Sequence, residues 1–252
     1  AEAKFLRAWF YFDLVRLFGN VPLFTNTISL DDALNVTQVT PAEVFAQIEQ
    51  DLTDALATTE LPQTVPPNEL GRATRDVANA LMGKVILFQN NDGRMAAAAN
   101  FLEEVINSQN YFLVDDFGSI FLKANEWGPG SVYEIQYSDN LPGDYGCCFA
   151  SGPVNRSTEG NYDVQFTGIR DYSGPEYSAG WGFCPITPTL VDLMTGDPRF
   201  QHTIIDGQQL QQSVGASYSP GFQNTDFFVK KYAPRTADRA TDGVPELGWS
   251  NN

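Results

Sequence analysis

The chain has a single histidine and only three cysteines in 252 residues, and no pair of cysteines is spaced as CxxC. That scarcity excludes the usual zinc sites, which need four convergent nitrogen or sulfur ligands. Cys147 and Cys148 are adjacent and do not readily bridge each other. Buried free thiols are the expected state, with a bridge from one of them to Cys184 as the alternative. No GxSxG elbow, HExxH helix or P-loop occurs. No apolar run approaches the roughly eighteen residues of a membrane span, and no secretory signal is visible. Basic residues are few, 15 against 31 acidic ones, for a net charge of −16. Such a field repels phosphates, which argues against nucleic acid as a partner, and it disfavours strongly anionic ligands. Lys230, Lys231, Arg235 and Arg239 form the only basic cluster and read as a solvated strand end or loop.

Aromatic and aliphatic residues are plentiful and ordered. In Ala1–Leu23 they recur at Phe5, Ala8, Phe12 and Val15, the three-and-four spacing of one helical face. The helix stops at Gly19-Asn20, and after Leu23 an irregular stretch is expected to run to Val39. Trp9, Phe10, Leu14 and Leu17 widen the stripe, so the helix is expected to be covered by others, with Trp9 in the core. Thr40-Pro41-Ala42-Glu43 opens a second helix with the signature of a capping box, and its apolar face is Val44, Ile48, Leu52, Ala55 and Leu56. The spacing predicts a third helix over 72–88, capped by Thr74, and a fourth over 94–108 with Ala97, Phe101 and Val105 at i+4. Gly83 facing the fourth helix resembles the small-residue contact of a tetratricopeptide hairpin, although Glu104 stands where that motif prefers alanine. Residues 1–125 are therefore expected to form a helical, repeat-like platform.

Residues 126–252 have a different texture. Ser131–Ser138 alternates and predicts a strand, as does 227–232; 188–194 predicts a short helix capped by Thr187. Between them, residues 140–187 hold eight aromatics, eight glycines and four prolines, too irregular for regular structure and too aromatic for a linker. Long loops with their own aromatic inventory are usually functional. Sugar rings have apolar C–H faces that stack on aromatic side chains, and hydroxyls that need short polar partners. Trp127, Tyr145, Tyr162, Tyr172, Tyr177 and Trp181 are the candidate platforms, with Asn140, Asp144, Asn155, Arg170 and Asp171 as polar partners; Phe183 is expected to continue toward the core. For each ring the competing reading is simply core. Asp139, Asn140 and Asp144 bunch as oxygen donors but lack an EF-hand pattern. Asp31-Asp32 and Asp115-Asp116 read as solvated turns rather than a hydrolytic pair, and His202 as a packed or surface histidine.

Six blocks follow one another in the order seen in the SusD/RagB lipoproteins of Bacteroidetes outer membranes. They are AEAKFLRAWFYFDLVRLFGNVPL (1–23), GRATRDVANALMGKVILF (71–88), FLEEVINSQNYFLV (101–114), SVYEIQYS (131–138), PTLVDLMTGDPRF (188–200) and KKY (230–232). The chain resembles that family over most of its length. The resemblance implies a mainly α fold of tetratricopeptide-like hairpins with a loop-rich region bearing short strands. It also implies non-catalytic binding of an oligosaccharide or polysaccharide, no cofactor, and delivery to a SusC-type TonB-dependent transporter. In the family a lipid-bearing cysteine and further helices precede the first block, and a helical block follows the last, so an internal portion of a surface-exposed, lipid-anchored protein is expected. The acidity suits a neutral glycan. A helical-repeat scaffold for proteins and a glycoside hydrolase are the alternatives.

Overall fold

Thr40 shows how locally the helices are specified. Its Oγ1 accepts from the Glu43 N–H, Glu43 Oε2 accepts from the Thr40 N–H at 2.9 Å, and Pro41 occupies the first turn. The same logic opens Arg75–Phe88, where Thr74 Oγ1 accepts from the Val77 N–H. The computed structural model describes residues 1–135, 166–231 and 233–238. These fall into two compact units, Ala1–Leu113 with Pro129–Tyr133, and Val114–Gly128 with the chain from Glu134 onward.

The first unit is built on α1 (Glu2–Phe18), β1 (Val21–Pro22), α2 (Leu30–Leu34), β2 (Gln38–Val39), α3 (Pro41–Ala57), α4 (Arg75–Phe88) and α5 (Met95–Asn107). Helix α1 packs on α3, and α4 packs on α5, giving two helical hairpins joined through α3 and α4. Phe5, Ala8, Phe12 and Val15 of α1 meet Val44, Ile48, Leu52 and Ala55 of α3 in the core, as the periodicity predicts. A methyl group on Gly83 would lie 2.7 Å from Leu102 Cγ, so the missing side chain is what lets α4 and α5 close up. Among the described residues of this unit, the buried polar side chains Asp51, Thr74 and Asp76 are all hydrogen-bonded. Asp51 accepts from Arg7 Nε and Nη2 at 2.7 and 2.6 Å, and Asp76 accepts from Gln63 and Asn110 at 2.6 and 2.7 Å.

Three expectations need correcting. The stretch after Leu23 is not irregular throughout: Ser29 and Asp32 cap α2 reciprocally, and β1 pairs antiparallel with β2 through Val21↔Val39 and Pro22↔Gln38. Residues 131–135 form no ladder, and 136–138 lie outside the described residues. Their alternation arises from other contacts, since Tyr133 packs edge-on against Trp9 and Phe5. Nor is α1 covered all round. Trp9 is half-buried against the core, but Phe10 is 62% and Leu17 75% exposed, and Leu14 is exposed beside them. Periodicity identifies an apolar face without saying what lies over it.

The carboxylates of this unit set its acid response. The Arg94 guanidinium, bidentate on Glu49 at 2.6 and 2.8 Å, holds that carboxyl below its usual value, and Arg72 does the same for Glu2. A depressed folded pKa adds stability above the unfolded carboxylate value, and the contribution is lost as pH falls through the folded one. The melting temperature is therefore expected to be nearly flat from about pH 8 to 6 and to fall below the carboxylate range, about pH 4. Thermal unfolding followed by circular dichroism checks this; an equal or higher value at about pH 3 contradicts it.

The second unit contains α6 (Pro188–Met194), α7 (Phe200–Thr203), β3 (Ile204–Asp206), α8 (Gly207–Val214) and β4 (Phe227–Val229). Thr187 caps α6 as predicted, Asp206 caps α8, and β3 pairs antiparallel with β4 through Ile205↔Phe228. Its core gathers Ile169, Tyr172, Tyr177, Ile205, Leu210, Ala216, Phe228 and Ala233. Lys231 lies over the rings of Phe117 and Phe121, and Arg235 donates to the carbonyls of Phe121 and Lys230. The basic cluster is thus absorbed in packing; Arg239 lies outside the described residues.

Candidate functional site

Two glycines determine how Trp181 is held. Gly180 donates its N–H to the Ile169 carbonyl and Gly182 to that of Gly168, both at 2.8 Å, and Phe183 donates to Phe166 at 2.9 Å. The two strips run so close that a methyl on Gly180 would lie 2.5 Å from Gly168 C and Cα. Gly182 sits at φ +68°, where L side chains are strained. Between them Trp181 packs its ring on Phe166 (centroids 4.9 Å apart) and Phe183 (5.6 Å), and Phe166 and Phe183 lie nearly parallel at 6.0 Å. Phe183 is 66% exposed, so the cluster presents an aromatic surface.

Arg170 pairs with Gly180 across the strips and Asp171 follows it; both are exposed, with Arg170 Nε 3.6 Å from Asp171 Oδ2. The Cβ of Arg170 lies 3.0 Å from where a Gly182 methyl would stand. Asp171 has φ +50°, which turns the chain sharply at that point. An exposed guanidinium and carboxylate can donate to and accept from hydroxyls, while an exposed ring can take an apolar face.

The other predicted residues are distributed differently. Tyr172 and Tyr177 are buried in the second core, ring to ring at 5.8 Å, and burial pushes the Tyr177 phenol up to about 12. They offer no open face, because their rings are packed against Ile169 and its neighbours in that core. Trp127 is half-buried on the 125–128 turn at φ +55°, its backbone N–H donating to Glu134 Oε2 at 3.0 Å. Tyr145, Tyr162, Asn140, Asp144 and Asn155 lie outside the described residues, as do Asp139, Cys147 and Cys148. Cys184 is a free thiol and exposed rather than buried.

Phe183 corrects the sequence reading most usefully: it faces solvent instead of entering the core. Phe166 completes the cluster and carried no signal of its own. Asp32 caps α2, and Asp116 accepts from the Gly118 N–H at 2.9 Å, so both acidic pairs serve turns. His202 packs against Gly118 and the Phe117 ring. Among the described residues, no three His, Cys, Asp or Glu side chains converge as a metal site.

Fold and site together define a helical-hairpin protein with an aromatic surface beside exposed polar groups. A SusD-like family model, described as starch-binding and associating with the outer membrane, matches residues 1–87. SusD-like protein P2 of Formosa agariphila is 30% identical over 190 residues, covering 72% of this chain and 33% of that protein. A solved laminarin binding SusD-like protein superposes with TM-score 0.86 at 35% identity, over 99% of this chain and 55% of that one. Surface glycan-binding protein A from Bacteroides thetaiotaomicron, solved in complex with laminarihexaose, gives 0.79 at 26% identity, over 100% of this chain and 53% of that one. The chain belongs to the SusD-like family. It spans a third of the curated relative P2 and about half of these solved structures.

Proposed function

We propose that the protein binds a neutral glycan without turning it over, at the outer-membrane surface, and passes it to a SusC-type transporter. The observation that carries this reading is the exposed Phe183 ring packed on half-buried Trp181, with the exposed Arg170 and Asp171 on the neighbouring strip. The chain's likeness to a laminarin binding protein and to a glycan-binding protein holding laminarihexaose supports a β-glucan as the ligand. The net charge of −16 and the exposed Asp171 favour a neutral chain over a sulfated or uronic one. In this reading the helical hairpins are the platform and the second unit bears the site. Trp127 is a further contact on its own turn, and the anchor is a lipid outside this sequence.

Calorimetric titration with neutral and anionic glycans, paired with a reducing-sugar assay, tests it. Heat without new reducing ends supports binding alone, whereas turnover selects a hydrolase. The exposed apolar flank of α1 favours a second reading, a protein-binding scaffold, which absence of glycan binding would select. Phe183→Ala is expected to weaken laminarihexaose binding about tenfold, or about 1.4 kcal/mol, with little change in melting temperature because the ring is mostly exposed. Trp181→Ala should act in the same direction. Unchanged affinity in both variants removes this surface from the site.

A further inference from the structure

Phe222 is 84% exposed, yet the loop that carries it is closely tied. Asp226 Oδ1 accepts from Tyr218 Oη at 2.9 Å and Asn224 Nδ2 at 2.6 Å, and its Oδ2 accepts from Gln208 at 2.9 Å. Those donors hold the Asp226 carboxyl below its usual range. Ser219 donates its N–H to the Arg170 carbonyl at 3.0 Å, and Thr225 Oγ1 donates to that of Ile186 at 2.6 Å. Gln223 and Asp226 both adopt positive φ, at 54° and 64°. A large apolar ring thus stands in water on a closely tied loop, where its exposed surface is available for a partner.

The position of that ring suggests its use. A methyl on Gly221 would stand 3.3 Å from the Gly182 carbonyl oxygen and 4.0 Å from Arg170 Cδ, so the two glycine backbones run close together. Phe183 follows one glycine and Phe222 the other. Backbone dimensions then keep their α-carbons within about 11 Å. Arg170 contributes to both contacts.

We propose that Phe222 is a second stacking ring of the same site, taking a sugar farther along a chain whose first contact is Trp181–Phe183. This rests on the glycan reading above. It makes the site a selector for length: a short oligosaccharide engages one ring set, and a longer one engages both. Stacked rings add affinity only when one ligand spans them without strain.

The test titrates the whole chain with laminaritriose and laminarihexaose. Phe222→Ala is expected to weaken laminarihexaose binding five- to tenfold, to leave laminaritriose within about twofold, and to keep the melting temperature. Phe222→Tyr should restore laminarihexaose binding, which a merely structural loss would not predict. Unchanged laminarihexaose binding in Phe222→Ala, with binding lost in Phe183→Ala, overturns the role of Phe222 and leaves the site standing. An unaltered chain that binds neither sugar overturns both. An equal loss for both sugars overturns the length dependence.

Discussion

Gly180→Ala is expected to lower the unfolding free energy by about 3 kcal/mol and to weaken glycan binding at least tenfold. Gly180 is not among the residues with positive φ, so the effect is steric alone. Its added methyl would meet Gly168 C and Cα at 2.5 Å and Gly168 O at 2.6 Å, and backbone cannot rotate aside as a side chain would. Overpacking typically costs about 1–3 kcal/mol, and the upper end applies where the neighbour is main chain. Separating the strips also strains the hydrogen bonds from Gly180 to Ile169 and from Gly182 to Gly168, which fix Trp181 between them. Gly93→Ala is the control. Its methyl meets only Asn91 Oδ1 at 3.4 Å, so stability and binding should be retained. Urea unfolding and calorimetry on the two variants settle the matter; a Gly180→Ala protein as stable as its parent would mean that the strips can part freely.

Arg7→Ala is expected to cost about 3 kcal/mol. Asp51 is 1% exposed on α3, and its two short bonds from Arg7 are what make a buried carboxylate tolerable there. Without the guanidinium only Gln47, at 3.0 Å, remains as a side-chain donor. Breaking one half of a buried pair costs about 3–5 kcal/mol, and the lower end applies because the Arg7 side chain is itself 26% exposed. The Arg7→Met, Asp51→Leu double variant should regain most of the loss, since it buries no charge at all. Chemical denaturation at neutral pH reads both. A single variant within about 1 kcal/mol of the parent would show that water reaches Asp51.

The helical half was legible because its signals are local. Thr40 with Glu43, and Thr74, each specify a helix start within four residues, as Thr187 does in the second unit, and each cap is present. Gly83 was legible as a close approach because only a small residue makes sense on that face. The site was read less well. Trp181, Tyr172 and Tyr177 stand in the same glycine-rich stretch, and nothing local distinguishes the ring that reaches the surface from the two in the core. That difference comes from Ile205, Leu210 and Phe228, dozens of residues away. Phe222 was invisible for the same reason, since its relevance depends on two glycines 39 positions apart in sequence running close together in space. The alternation at 131–135 misled because any extended segment lying on a core alternates, with or without a hydrogen-bonded neighbour.

Cys184 follows Phe183 directly and offers its thiol to solvent. That gives the aromatic surface a natural attachment point for a reporter. With Cys147 and Cys148 replaced by serine, a maleimide dye would label this one position, at the rim of the rings and without an engineered cysteine. Occupancy by a colourless, uncharged sugar, which alters neither absorbance nor charge, would then become visible as a change in fluorescence.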